Sequence, residues 1–221
     1  MFQIINGTLF RLQVPAMKKK VTEPTDTPKP AAGEPRRMRA DGQRKMNSLL
    51  QAAMEVFAES GVDAPVRAIA ERAGVGLGTV YRHFPQRSDL IAAVFKNKMD
   101  ACADAAPVLA REYEPGEALA RWIQRYVDFV ATKRGLAAAL HSGDPAYNAL
   151  PAYFNERLLP ALKALLDAAV AARKVRPGIE AADLLRAVAT LSYGSLEKEP
   201  VYARKMVALL VDGLRYGAGT R

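Results

Sequence analysis

The stretch "AERAGVGLGTVYRHFPQRSDL", residues 70–90, sets glycines at alternate positions: Gly74, Gly76 and Gly78. Such a run either cradles a phosphate or turns the chain between two helices. A dinucleotide fingerprint needs G-x-G-x-x-G directly after a strand, so that the pyrophosphate meets a helix N-terminus. Here the spacing is G-x-G-x-G, and the preceding "VRAIAERA" has the apolar spacing of a helix. A Walker loop would need Gly-Lys-Ser/Thr, which the stretch lacks. The phosphate reading fails on spacing and on context.

The turn reading fits each residue. A helix, Gly74 as its left-handed end, an inward Val75 and a second short helix make a helix-turn-helix, whose second helix enters the major groove. On that second helix, about Leu77 to Phe84, Val80 and Phe84 are four apart and anchor one face to a core. Gly78, Thr79, Arg82 and His83 then point away, with Tyr81 on the flank. Gly78 has no side chain to hold the backbone off DNA. Hydroxyl, aromatic, cationic and imidazole groups suit phosphates and base edges.

Outward from this stretch the chain reads as all-α, with about nine helices. "RKMNSLLQAAMEVFAESG" repeats Met46, Leu49, Leu50, Ala53 and Phe57 at three- and four-residue steps, and Gly61 closes it. Order is expected to begin near Asp41, and Pro65 suits the first turn of the helix carrying Val66, Ile69, Ala70 and Ala73. Pro85 stops the short helix, and Ser88 with Asp89 opens a long fourth one that turns Ile91, Val94, Phe95 and Cys102 inward. Pro107 and Pro115 are expected to bracket the next break. Further helices read as about 116–133, 136–143, 147–174, 179–196 and 200–216, with Pro151 and Pro160 kinking or delimiting the longest.

Composition bounds the function. The 221 residues suffice for one sizeable core or a small module joined to a larger one. The chain shows no uninterrupted apolar window of about 18 residues, and its start makes a poor secretory signal, so no membrane partner is expected. Cys102 is the only cysteine, which leaves neither a disulfide nor a cysteine-based zinc site. A cytoplasmic, nucleoid-associated protein is the simplest expectation. Of the net charge of +9, residues 1–45 hold ten Lys/Arg against four Asp/Glu. That basic arm is either a footprint for nucleic acid or a solubilising tail. Residues 21–35, rich in Pro, Thr and Lys, read as disordered, and "MKKK" from Met17 reads as an alternative translation start.

From Met38 to Phe95 the sequence resembles the TetR/AcrR family of transcriptional regulators, most specifically in "AGVGLGTVYRHF". The resemblance implies a helix-turn-helix head over 38–86 and a helical ligand-binding and dimerisation body over 87–221, preceded by the disordered basic arm that composition suggests over 1–37. It implies DNA contact by Arg67, Leu77, Gly78, Thr79, Tyr81, His83 and Arg87, while Arg82 is either a further contact or a solvated charge. Two positions depart from the family. Val66 stands where a hydroxyl residue is frequent, and Leu77 replaces a polar base-reader, where it can touch a thymine methyl.

In the body, Trp122, Tyr126, Phe129, His141, Tyr153, Phe154, Arg157 and Tyr193 are the candidates for a pocket. "LARWIQRYVDFV" carries an apolar stripe that is first of all core. The resemblance also implies a homodimer, for which Leu184, Val188 and Leu191 with Val207, Leu210 and Leu214 are the candidate contacts. His83 and His141 fall in different modules, and no triad, metal-ligand set or carboxylate pair stands out, so neither an enzyme nor a cofactor is expected. The reading is a repressor that binds a palindromic double-stranded DNA operator as a homodimer and leaves it when a small-molecule effector binds. The alternative is a helical DNA-binding scaffold without small-molecule control.

Overall fold

Apolar residues at three- and four-residue steps, with little β-branched alternation, produce nine α-helices among the described residues of this computed structural model. The structure describes the backbone of residues 34–195 and 200–216, and the side chains of residues 42–131, 136, 139–192 and 201–216. The sequence readings of the amino-terminal arm up to residue 33 and of the Tyr193 side chain lie outside the described residues, while residues 34–37, expected to be disordered, are helical.

Three helices form a head: α1 (Glu34–Ser60), α2 (Val66–Ala73) and α3 (Leu77–His83). The long α4 (Arg87–Glu112) leads into α5 (Pro115–Gly135), α6 (Ala137–Leu140), a 3-10 turn (Pro145–Tyr147), α7 (Leu150–Ala171), α8 (Ala181–Ser195) and α9 (Pro200–Arg215). Leu49, Ala53 and Phe57 of α1, Ile69 of α2, Val80 of α3 and Leu90 and Val94 of α4 are all buried in one continuous core. In the body α5 is central and packs against α4, α7, α8 and α9. Trp122 of α5 is fully buried and its indole N–H donates to the Cys102 carbonyl at 2.9 Å, which fastens α5 to α4. Burying so large a ring with its one polar atom satisfied is a strongly stabilising arrangement.

Several boundaries differ from those expected. Helix α1 begins seven residues before Asp41, at Glu34. Pro107 does not break the chain but lies inside α4. The helix loses a hydrogen bond there, yet buried Ala103, Ala105, Ala106 and Leu109 flank the proline and hold the segment against the core. Pro65 precedes α2 as its N-cap, and α4 starts with Gln86 as N-cap, whose N–H donates to the Asp89 carboxylate at 3.0 Å. Residues 147–149 precede α7, where Pro151 occupies the first turn that needs no N–H, and Pro160 is carried inside the helix. The helix ends at Ala171 because Arg173 turns left-handed (φ 55°) and the Lys174 N–H closes back on the Ala169 carbonyl at 2.9 Å.

Candidate nucleic-acid interface and body cavity

The turn between α2 and α3 is built as the glycine spacing requires. Gly74 adopts φ 65° and ψ 32°, and the Val75 N–H closes on the Ala70 carbonyl at 3.0 Å. Only a residue without a Cβ enters this conformation at no steric cost. Gly76 is extended and its carbonyl accepts the Thr79 N–H at 2.9 Å, so α3 starts at once. Val80 is 1% exposed and Phe84 packs half-buried against the core. The opposite face of α3 is bare: Leu77 and Tyr81 are 37% and 49% exposed, and Gly78, Thr79, Arg82 and His83 are exposed beside them. A Cβ built on Gly78 meets nothing within 4 Å, so its surface is open rather than packed.

Beside Arg82, the head and the start of α4 carry Arg67, Arg72 and Arg87. Arg67 is exposed and only 4.0 Å from Glu71 at its nearest approach, a loose pair that leaves the guanidinium available to another partner. Arg72 is instead committed, donating to Glu59 of α1 at 2.7 Å, and that bond holds the Glu59 carboxyl below its ordinary pKa. Arg87, to which the resemblance assigns DNA contact, also has a structural role. Its Nη1 donates to the Val62 and Ala64 carbonyls of the α1–α2 turn, the latter at 2.8 Å, and the side chain is half-buried. The brace fixes the head's first turn to the start of α4.

A cavity of about 450 Å³ lies in the body between α4, α5, α7 and α8. Of the sequence candidates, Tyr126, Phe129, His141 and Phe154 line it. Phe95, Val130, Tyr147 and Leu150 complete the buried wall, while Pro151, Asn155 and His141 stand exposed at the mouth. Ring centroids of Phe95 and Phe129 are 5.3 Å apart, and Phe154 lies 6.2 Å from both Tyr126 and Phe129. Such separations are typical of tilted aromatic pairs. Burial pushes the Tyr147 phenol above its ordinary pKa, with Asp144 and Asp89 adding to the effect, so it stays neutral.

Other pocket candidates do different work. Trp122 lies behind Tyr126, stacked at 5.8 Å, and belongs to the core. Tyr153 and Arg157 line no part of this cavity; they clasp α7 to α4 on another side of the helix. Arg157 donates to Asp100 at 2.6 Å and to Asp104 at 2.7 Å, and the Tyr153 hydroxyl donates to Asp100 at 2.7 Å. Phe95, Tyr147 and Leu150 were missed because two of them flank a loop with no helical period, and Phe95 looks like any other core position of α4.

The candidate dimer contacts also divide. Leu184, Val188, Val207 and Leu214 are no more than 4% exposed within the single chain, so they cannot present a face to a second copy. Leu191 and Leu210 remain half-buried. The apolar surface left open along α9 is instead Tyr202 and Leu209, with Tyr216 just past its end, exposed by 48%, 63% and 85%, together with Val201 at 61%. Their seven-residue spacing puts the first three on one helix face.

Comparison with known proteins agrees with this geometry. Residues 49–94 match the family model of bacterial regulatory proteins, tetR family, and residues 114–216 match that of the transcriptional regulator SbtR-like C-terminal domain. A TetR transcriptional regulator from Streptomyces coelicolor is 38% identical, with a TM-score of 0.68 over 76% of this chain and 97% of that one. A TetR transcription regulatory protein from Mycobacterium vanbaalenii is 34% identical, with a TM-score of 0.64 over 80% of this chain and 99% of that one. An HTH-type transcriptional regulator of Staphylococcus aureus (strain USA300) is 36% identical over 64 residues, 28% of this chain. The match spans 35% of that relative's length.

Proposed function

The chain belongs to the TetR family of DNA-binding transcriptional regulators, and from that premise we propose a repressor released from its operator by a small molecule. The observation that carries this reading is the continuity of α4. One unbroken helix bears Arg87, which braces the head, and Phe95, which forms part of the cavity wall. Eight residues at about 1.5 Å each put these two positions only about 12 Å apart along the axis. A ligand that displaces Phe95 therefore displaces the helix on which the head is mounted.

On DNA, Leu77, Gly78, Thr79, Tyr81, Arg82 and His83 of α3 face the major groove, and Arg67 reaches the backbone from α2. Tyr81 and His83 grip phosphate, while Thr79 and Leu77 meet base edges. The operator is palindromic, because two chains pair through the α9 face of Tyr202, Leu209 and Tyr216, flanked by Leu210 and Leu191. Their two α3 helices then enter successive major grooves about 34–36 Å apart. Selection of bound duplexes from random sequence tests the whole reading. It is expected to return an inverted repeat, and adding the effector is expected to release it. Duplexes without dyad symmetry would contradict the paired arrangement, and undiminished binding with every ligand that fills the cavity would leave a DNA-binding scaffold without small-molecule control.

A further inference from the structure

We propose that the body cavity takes a neutral, flat, ring-containing molecule rather than a carboxylate, an ammonium ion or a long acyl chain. This rests on reading the cavity as the effector site and names the chemistry of its occupant. Among the described lining residues none is a carboxylate, ammonium or guanidinium. A charged group among the buried rings would lose its hydration there without a carboxylate, ammonium or guanidinium to pair with, a cost that a neutral one avoids. Two cations next to lining positions in the sequence or one turn away, Lys96 and Arg157, are committed elsewhere: Arg157 to Asp100 and Asp104, and Lys96 over the Tyr153 ring at 5.3 Å.

The wall also favours rings. Phe95, Tyr126, Phe129, Tyr147 and Phe154 bring five aromatic faces and edges to one space, and ring-on-ring contacts attract beyond simple area burial. Its volume of about 450 Å³ equals about fifteen waters at about 30 Å³ each, which suits two or three joined rings. It sits toward the small end of the usual range for such sites, about 300–1,000 Å³. Besides the Tyr126 and Tyr147 phenols of the buried wall, the polar side chains of the lining, His141 and Asn155, are exposed at the mouth. The ligand accordingly carries its hydroxyl or carbonyl at that end and its rings inward.

Calorimetric titration of the full chain with matched probes tests this: 2-naphthol, 2-naphthoate, 2-naphthylmethylammonium and 1-decanol. The expected result is that 2-naphthol binds at least about tenfold more tightly than either charged counterpart. Ala189→Phe, which fills the cavity from α8, is expected to abolish that binding. Phe154→Leu removes a ring but keeps the surface apolar, so it is expected to weaken 2-naphthol severalfold and leave decanol nearly unchanged. Circular dichroism confirms that both variants fold. Naphthoate, naphthylmethylammonium or decanol binding as tightly as 2-naphthol, and lost in Ala189→Phe, would overturn the ligand class while sparing the cavity as an effector site. Binding of no probe, or binding untouched by both variants, would overturn the proposal at this cavity. Specific 2-naphthol binding with operator affinity unchanged would support the ligand class and remove the proposed control of DNA binding.

Discussion

The outward face of α3 and the wall of the body cavity are built by opposite means. Seven consecutive residues make the first, and the core contacts of Val80 and of the adjoining Phe84 set which of them face solvent. The second is gathered from Phe95 to Ala189, across nearly a hundred residues and six segments of chain. A surface that reads DNA is specified locally and costs little to change. A cavity is the space left by packing, so altering its wall alters the fold. The two regions should therefore respond differently to substitution: the head through affinity, the body through stability.

The largest expected effect lies behind the cavity wall. Trp122→Ala removes a fully buried indole and its bond to the Cys102 carbonyl, and should cost about 3–5 kcal/mol of stability. Arg82→Ala on α3 should change stability by no more than about 0.5 kcal/mol while weakening DNA binding. Urea unfolding of both variants measures the contrast, and comparable losses would erase it. Arg87 sits between the two regimes. Arg87→Ala strips the Val62 and Ala64 carbonyls of their donor and should cost about 1–3 kcal/mol. Hydrogen exchange should place the loss in the α1–α2 turn; protection unchanged there would contradict the brace.

Cys102 is expected to give the smallest effect at neutral pH. Burial pushes its thiol from 9.0 up to about 12, so it remains protonated and inert in the folded chain. In the unfolded chain the thiol ionises near its ordinary value. The folded state then holds the extra proton, and stability falls as pH rises between about 9 and 12, with no contribution below that window. A thiol reagent at pH 8 should react only as fast as the protein opens; rapid labelling of the native protein would contradict this burial.

How far each region could be read in advance follows the same division. The α2–Gly74–α3 turn was legible because left-handed glycine, a helix start and an inward valine are all signals within ten residues. The structural role of Arg87 was not legible because its partners, Val62 and Ala64, lie more than twenty residues earlier and are backbone carbonyls. Leu184, Val188, Val207 and Leu214 were misplaced for another reason. An apolar stripe marks a buried face equally whether its cover is the same chain or a second copy. Helix α9 is apolar on more than one face, and only the packing decides that Val207 points inward and Leu209 outward. Pro107 was read as a break because proline's local cost is visible in sequence, while the buried alanines that offset it act through tertiary contacts.

That α3 presents its outward face to DNA is tested most directly by operator affinities of Tyr81→Phe and Thr79→Ala. Fluorescence anisotropy at one fixed salt concentration, on the selected operator and each single-mismatch variant, supplies them. Tyr81→Phe removes only a hydroxyl, which the proposed docking sets against phosphate, so it should lose about 1 kcal/mol nearly equally on every duplex. Thr79→Ala should lose affinity on the best operator and little on duplexes already mismatched at the base pair it touches. If both variants, folded by circular dichroism, bind every duplex like the unaltered protein, this face of α3 does not lie in the groove.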